Sequence, residues 1–306
     1  MATLLKKVRE VVLIDKIKAG FKPKSAQVVV SIGDDAAVVR GPEGRYLLYT
    51  ADMLIEGVHF KKDEDPAKVG YKAVAVSVSD IAAMGGVPKY ALISVGLAKN
   101  GLNQKAQALY KGIKACCDKF GVDVIGGDTN KSDKLVIDCS LIGEVKKKDL
   151  VLRSEAKSGD YIFVTGALGG SIKGGHLSFV PRVEESRFLV NNLKLNSMID
   201  LSDGLGMDLN RVCEASGCGA FIFEDHIPKN KGVKRTDSAL FDGEDFELLF
   251  TLSKPMAFKL MRLQNKGRTK FRFFHIGRIT DLFKGVRMAD SSGNVREISC
   301  ESFKHF

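Results

Sequence analysis

The sequence predicts a mixed α/β protein in two domains, and three observations predict it. The chain has 306 residues, 44% of them hydrophobic, enough to bury two cores of ordinary size. Short β-branched and apolar runs alternate with longer Ala-rich or amphipathic stretches along its whole length, the pattern of sheets covered by helices. A charged stretch at Lys146 to Gly159, ending in RSEAKSGD, interrupts that alternation near the middle and sets the expected domains at 1–148 and 149–306.

The elements follow in order. The first twenty residues break their apolar positions with Lys6, Lys7, Arg9, Glu10, Asp15 and Lys16. They predict an amphipathic helix, neither a signal peptide nor a membrane span, in a cytoplasmic protein. Strands are expected at 27–30, 46–50, 90–96, 122–125 and 135–145. A helix over 66–84 opens with acidic residues and Pro66 and runs through Ala and Val; a second, over 103–120, is amphipathic and closes at Gly121. In the second half, strands are expected at 161–165, 197–201, 220–223, 246–251 and 271–276, with helices starting near Leu205 and Pro255.

Composition narrows the function. The six cysteines form no CxxC pair and no zinc pattern, so reduced structural thiols are expected. A formal charge of +10 suits a lysine-rich surface or the steering of anionic small molecules. Lys146 to Lys148 form a short tract without interleaved aromatics, and no nucleic-acid-binding signature accompanies it, so no nucleic acid is expected as a partner.

The carboxylates carry the chemistry. They fall in SIGDDAAVV (31–39), YTADML (49–54), SVSDIAAMGG (77–86), IGGDT (125–129), IDLSDGL (199–205) and DGEDFELLF (242–250), each among Gly, Ala, Ser or apolar residues. A solvated acidic face would have charged neighbours, whereas Asp beside Gly leaves room for a metal ion or phosphate. Taken alone, each Asp also serves as a helix cap or turn residue. Six together point to Mg²⁺, a hard cation that bridges carboxylates to substrate phosphates. No GxxxxGK[ST] loop and no protein-kinase motif set is present. The glycine-rich VTGALGGSIKGG (164–175) offers backbone amides either to a phosphate or to an ordinary loop.

In order and spacing, these motifs, together with ADMLIEGVHF, YKAVAVSVSDIAAMGGVP, LRSEAKSGD and the ending SFKHF, resemble the thiamine-monophosphate kinases of the aminoimidazole-ribotide synthetase-like superfamily over nearly the whole chain. The resemblance implies two α/β domains, N-terminal halves pairing in a homodimer, and transfer of the ATP γ-phosphoryl to thiamine monophosphate. It implies that Asp35, Thr50, Asp52, Asp80, Asp128, Asp200 and Asp203, with Asp34 beside them, hold several Mg²⁺ ions. It assigns Tyr110, Gly127, Asp128, Arg153 and Ser202 to ATP, and His59, Glu244 and Phe303 to the thiamine phosphate. No general base is expected, because the acceptor oxygen is already ionised near neutral pH.

The sequence departs from the family pattern at Ala51, where Thr is usual, and at Gly170, where Asp is common. Asn130 replaces the second Thr after the GGD motif, Asp242 replaces a Gly, and the segment after residue 171 is shorter. Two alternatives stay open on these grounds: a relative with another acceptor, or a nucleotide-binding member without turnover. No Cys precedes the GDD motif, which counts against a selenophosphate synthetase.

Overall fold

Alternation of buried and half-exposed side chains along Val136–Lys146 is the period of a strand with one face on a core. This strand is central to a six-stranded sheet. In the computed structural model, which describes residues 13–14, 16–97 and 104–298, the sheet comprises β1 (Val28–Val30), β2 (Ala37–Arg40), β3 (Arg45–Ile55), β4 (Val87–Leu97), β5 (Asp123–Lys131) and β6 (Val136–Lys146), in the order β1-β2-β3-β6-β4-β5. All neighbours are antiparallel except β4 and β5, which need a crossover. Helix α2 (Gln104–Phe120) lies between them in the chain. Residues 16–20 are helical; most of the expected N-terminal helix lies outside the described residues.

Helix α1 (Pro66–Ala83) begins where Asp65 accepts a hydrogen bond from the Ala67 amide, with Pro66 in the first turn. Thirteen of its eighteen residues are buried, so it is enclosed on nearly all sides. It packs on β3 and β6, against α2, and against three elements of the second half. Close approach to α2 depends on glycine: a Cβ at Gly70 would meet the Leu109 carbonyl oxygen at 2.0 Å, and one at Gly112 the Ala67 oxygen at 1.7 Å.

The second sheet has seven strands: β7 (Tyr161–Val164), β8 (Ser197–Asp200), β9 (Gly219–Phe223), β10 (Leu248–Leu252), β11 (Phe274–Thr280), β12 (Gly285–Ala289) and β13 (Val295–Ile298), in the order β13-β12-β9-β11-β7-β10-β8. Helices α3 (Val183–Asn192), α4 (Leu205–Ser216), α5 (Thr236–Phe241) and α6 (Lys254–Asn265) accompany it. Alternate residues of β7 feed two cores, Ile162 and Val164 on one face and Tyr161 and Phe163 on the other. Both faces are therefore covered, and all four residues of β7 are buried.

The architecture is the expected mixed α/β arrangement with two sheets, and several bounds differ from expectation. Strand β3 runs on through the YTADML motif to Ile55, and β5 runs through IGGDT to Lys131. The Asp residues of these motifs therefore sit within strands, not beyond their ends. Strands β2, β12 and β13 and helices α3 and α5 were not expected. The segment after residue 171 also crosses to the first half, where Leu177 joins the core of the first sheet with Phe179 and Val183 packed against it.

Candidate active site

Three carboxylates from three elements converge at the junction of the two sheets. Asp35 lies in the turn before β2, Asp80 near the C-terminus of α1, and Asp200 ends β8. One oxygen from each lies within 4.8 Å of the others. Neighbouring hydroxyls orient them: Thr50 donates to Asp80, and Ser79 donates to Asp200 Oδ2 at 2.6 Å. Ser77, one helical turn before Asp80, donates to Asp52 Oδ2 at 2.7 Å and to the Cys139 carbonyl at 3.1 Å. Thr50 and Asp52 reach α1 because alternate residues of β3 share the face covered by the helix.

Arg153 supplies positive charge. Its Nη2 donates to Asp35 Oδ1 at 2.5 Å, its backbone amide to Asp34 Oδ2 at 3.1 Å, and its Nε lies 3.8 Å from Asp34. This does not neutralise the cluster. Burial, then neighbouring carboxylates, push Asp80 and Asp200 well above the ordinary carboxylate range, against the opposing hydrogen bonds of Thr50 and Ser79. Burial and Asp35 raise Asp34 to about 6, and burial likewise raises Asp52 to about 6, with the Ser77 hydrogen bond opposing.

The donor set fits a hard divalent cation. Asp35 Oδ2 is buried and accepts no hydrogen bond from the described residues, an arrangement that costs free energy unless a cation or proton completes it. Arg153 Nε is buried and without a partner in the same sense, leaving one edge of its guanidinium for a phosphate. All donors in the cluster are carboxylate or hydroxyl oxygens, the set Mg²⁺ prefers.

The other candidate residues distribute unevenly around this cluster. Asp203 pairs with Arg211, which also holds Asp208 Oδ1 at 2.7 Å, and it is not one of the three converging carboxylates. Asp128 lies on exposed β5 and accepts from the Thr129 amide and the Asn130 side chain. Strand register puts Asp128 in one row with Ser94, Asp138 and Met53, on the sheet face away from α1. Gly127 lies on the same strand, and Tyr110 is exposed on α2. Phe303 lies outside the described residues.

On the opposite flank, the two loops that carry Ser202 and Glu244 are tied together. The Glu244 amide donates to the Ser202 carbonyl at 2.7 Å, and the Phe246 amide to the Leu201 carbonyl at 2.8 Å. Glu244 and Phe246 adopt φ of 61° and 51°, left-handed backbone that non-glycine residues enter at a cost. His59 Nδ1 accepts from the Ile55 amide at 3.0 Å, which fixes the ring at the end of β3.

The departures from the family pattern acquire structural meaning. Ala51 shares its row with Ser140 and Leu92 on the outer face of the sheet, so a hydroxyl there would point away from Asp35, Asp80 and Asp200. Gly170 and Asp242 are in contact, the Gly170 amide donating to Asp242 Oδ2 at 3.1 Å. The Gly169 amide donates to Asp245 at 2.9 Å, and Ser171 donates to the same carboxylate. The amides at 169 and 170, read from the sequence as available to a phosphate or a loop, are thus already taken by carboxylates more than seventy residues away. Sequence reasoning missed Ser77, Ser79 and Lys72. Their signal was present as three polar residues inside the otherwise apolar YKAVAVSVSD segment.

Residues 33–145, which hold Asp34, Asp35, Asp52 and Asp80, match the family model described as AIR synthase related protein, N-terminal domain. The sheet and its carboxylates thus define the class of protein. Among curated proteins, the chain is 34% identical to the thiamine-monophosphate kinase of Buchnera aphidicola subsp. Acyrthosiphon pisum, over 98% of this chain and 99% of that one. It is 37% identical to the thiamine-monophosphate kinase of Bacillus subtilis, over 74% and 79% of the two chains. A solved structure, AaThiL complexed with AMPPCP and TMP, superposes with a TM-score of 0.84 at 32% identity, covering 98% of both chains. The chain belongs to the thiamine-monophosphate kinase family.

Proposed function

We propose that this protein phosphorylates thiamine monophosphate to thiamine diphosphate with ATP. The observation that carries the proposal is the convergence of Asp35, Asp80 and Asp200, with Asp35 Oδ2 buried and accepting no hydrogen bond from the described residues, in a chain similar over 98% of its length to one that holds AMPPCP and TMP. Asp35, Asp80 and Asp200, with Asp34, Asp52 and Thr50 around them, would hold Mg²⁺. When bound, Mg²⁺ offsets the charge of the phosphates and orients them.

The chain's own groups do the remaining work. Arg153, held by ion pairs to Asp34 and Asp35, has a buried Nε that makes no hydrogen bond and supplies positive charge for a phosphate oxygen. Ser202 and Glu244 sit on hydrogen-bonded neighbouring loops, so nucleotide and acceptor are fixed relative to each other. A non-bridging oxygen of the acceptor phosphate attacks the γ-phosphorus, the bond from γ-phosphorus to the bridging oxygen breaks, and ADP leaves with that oxygen. Because the attacking oxygen is already ionised, positioning dominates over proton transfer. His59 and Glu244 are taken as contacts of the acceptor, and Tyr110 and Gly127 as contacts of the nucleotide.

We take the chain as two units, 1–148 and 149–306, working as a homodimer in the cytoplasm. Support for pairing comes from the outer face and edge of the first sheet, where Tyr49, Met53, Tyr90, Leu92, Val124 and Ile125 are exposed, an apolar surface that a second copy would cover. Asp128 lies on that same edge strand, so a metal role for it would be exercised at the paired surface. Among the described residues no helix is long and apolar enough to cross a membrane.

Incubation with Mg²⁺, ATP and thiamine monophosphate, with chromatography for thiamine diphosphate and ADP, tests the proposal. Metal-dependent, equimolar formation of both products is expected. Mg-ATP binding without thiamine diphosphate would reassign the acceptor.

A further inference from the structure

Lys72 is among the largest fully buried side chains of the described residues, at 0% exposure in the first half of α1. A lysine rarely occupies such a position without partners, because removing an ammonium from water costs several kcal/mol on the order of what pairing can return. Its partners join three segments far apart in sequence. The Nζ donates to the His59 carbonyl oxygen at 2.9 Å and forms an ion pair with the Glu244 carboxylate.

Glu244 needs such an anchor. It is itself buried, in left-handed backbone, on a loop held to its neighbour by main-chain hydrogen bonds. A buried carboxylate there without a cation would carry an uncompensated charge. The stems of α1 are rigid by comparison, since the helix is enclosed by the sheet and α2. An ammonium projecting from α1 with one donor on a fixed carbonyl is therefore a stationary mount for the carboxylate.

We infer that Lys72 is a positioning residue for the acceptor side of the site: held by the His59 carbonyl, it fixes the place and charge of the Glu244 carboxylate. The inference rests on the assignment of Glu244 to the acceptor. The consequence is selective, because Lys72 touches neither the Asp35, Asp80 and Asp200 cluster nor Arg153. Loss of the ammonium disturbs the acceptor wall and leaves nucleotide and metal contacts in place.

The test is steady-state kinetics of wild type, Lys72→Met, Glu244→Gln and the double variant with thiamine monophosphate and ATP varied in turn. Wild-type formation of thiamine diphosphate is the prior condition; its failure removes the acceptor assignment and this inference with it. Given an active wild type, Lys72→Met is expected to raise the acceptor KM about 10- to 100-fold, the scale of one lost charged hydrogen bond. The ATP KM is expected to stay within about 2-fold, which a general loss of structure would not produce. In the Glu244→Gln background, Lys72→Met is expected to add less than about 2-fold, because the two residues act as one unit.

Should Lys72→Met fail to fold from an uncompensated buried carboxylate, the double variant, which removes both charges, still folds and supplies the comparison. Equal rises in both Michaelis constants, or independent and multiplying effects in the double variant, would overturn the inference while leaving the kinase activity standing.

Discussion

Replacement of Asp80 by Asn separates the two demands on the carboxylate cluster, stability and metal binding, and predicts that they move in opposite directions. The oxygens of Asp35, Asp80 and Asp200 lie within 4.8 Å of one another, a spacing at which two like charges repel by about 3.5 kcal/mol at an effective dielectric of about 20. Asp80 enters two of the three pairs. The same crowding, after burial, pushes Asp80 and Asp200 well above the ordinary carboxylate range. The Asn side chain keeps an oxygen to accept from Thr50, so shape and hydrogen bonding survive. At pH 8, without divalent metal, the variant is expected to unfold at a temperature roughly 3 to 4 °C higher than wild type, the shift for about 2 kcal/mol in a chain of this size. Thermal melts with and without Mg²⁺ and ATP, paired with turnover, make the assay. Wild type is expected to gain stability on adding Mg²⁺ with nucleotide; the variant is expected to lose that gain and to turn over about 100- to 1,000-fold more slowly, the scale of a lost electrostatic contact to the reacting phosphates. A metal-free variant less stable than wild type, or one that keeps the full Mg²⁺ response, would refute the reading of the cluster as a repulsive, metal-holding set.

Three further outcomes follow from the geometry. Asp34 and Asp52, raised from 3.8 to about 6, bind more protons folded than unfolded, so their contribution to stability is present below about pH 4 and lost as pH rises through about 6; metal-free melts are expected to rise as pH falls from 7.5 to 5.5, and excess Mg²⁺ to flatten or reverse that slope. Gly112→Ala sets a Cβ 1.7 Å from the Ala67 carbonyl oxygen and is expected to cost about 3 kcal/mol or more through separation of α1 from α2, read by urea denaturation. Ala51→Thr, on the outer sheet face, is expected to leave the Mg²⁺ dependence of turnover within about 2-fold; a marked tightening would show that residue 51 reaches the metal region after all.

Legibility in the sequence followed how local the signal was. Helix α1 was readable because Asp65 and Pro66 mark its start and a long Ala and Val run gives it no polar face. Strands β4 and β6 were readable from apolar length, and the three carboxylates that the fold brings together, Asp35, Asp80 and Asp200, stood out by their Gly, Ala and Ser neighbours. Strand β12 alternates buried Val286 and Met288 with exposed Arg287 over only five residues, and the edge strand β13 is four residues long and mostly exposed, so neither gives a run long enough to read. Helix α5 is six residues long, shorter than two turns. Contacts such as Gly170 with Asp242 or Lys72 with Glu244 span 72 and 172 residues, and only the fold brings them together. The outward turn of Ala51 depended on strand register, which one residue's shift reverses.

Helix α1 also acts as a ruler. Lys72 and Asp80 are eight residues apart on one uninterrupted, enclosed helix, which sets them roughly 12 Å apart along its axis. That interval is incompressible, since a helix shortens or lengthens only in whole residues, each of which also rotates everything beyond it by about 100°. One deletion between the two would swing Asp80 off Asp35 and Asp200 while leaving Lys72 in register, so the separation between the Lys72–Glu244 pair and the carboxylate cluster is quantised. With Glu244 on the acceptor side as proposed, acceptors of different length would be accommodated by the loops around it and not by any adjustment of the helix that carries Lys72 and Asp80.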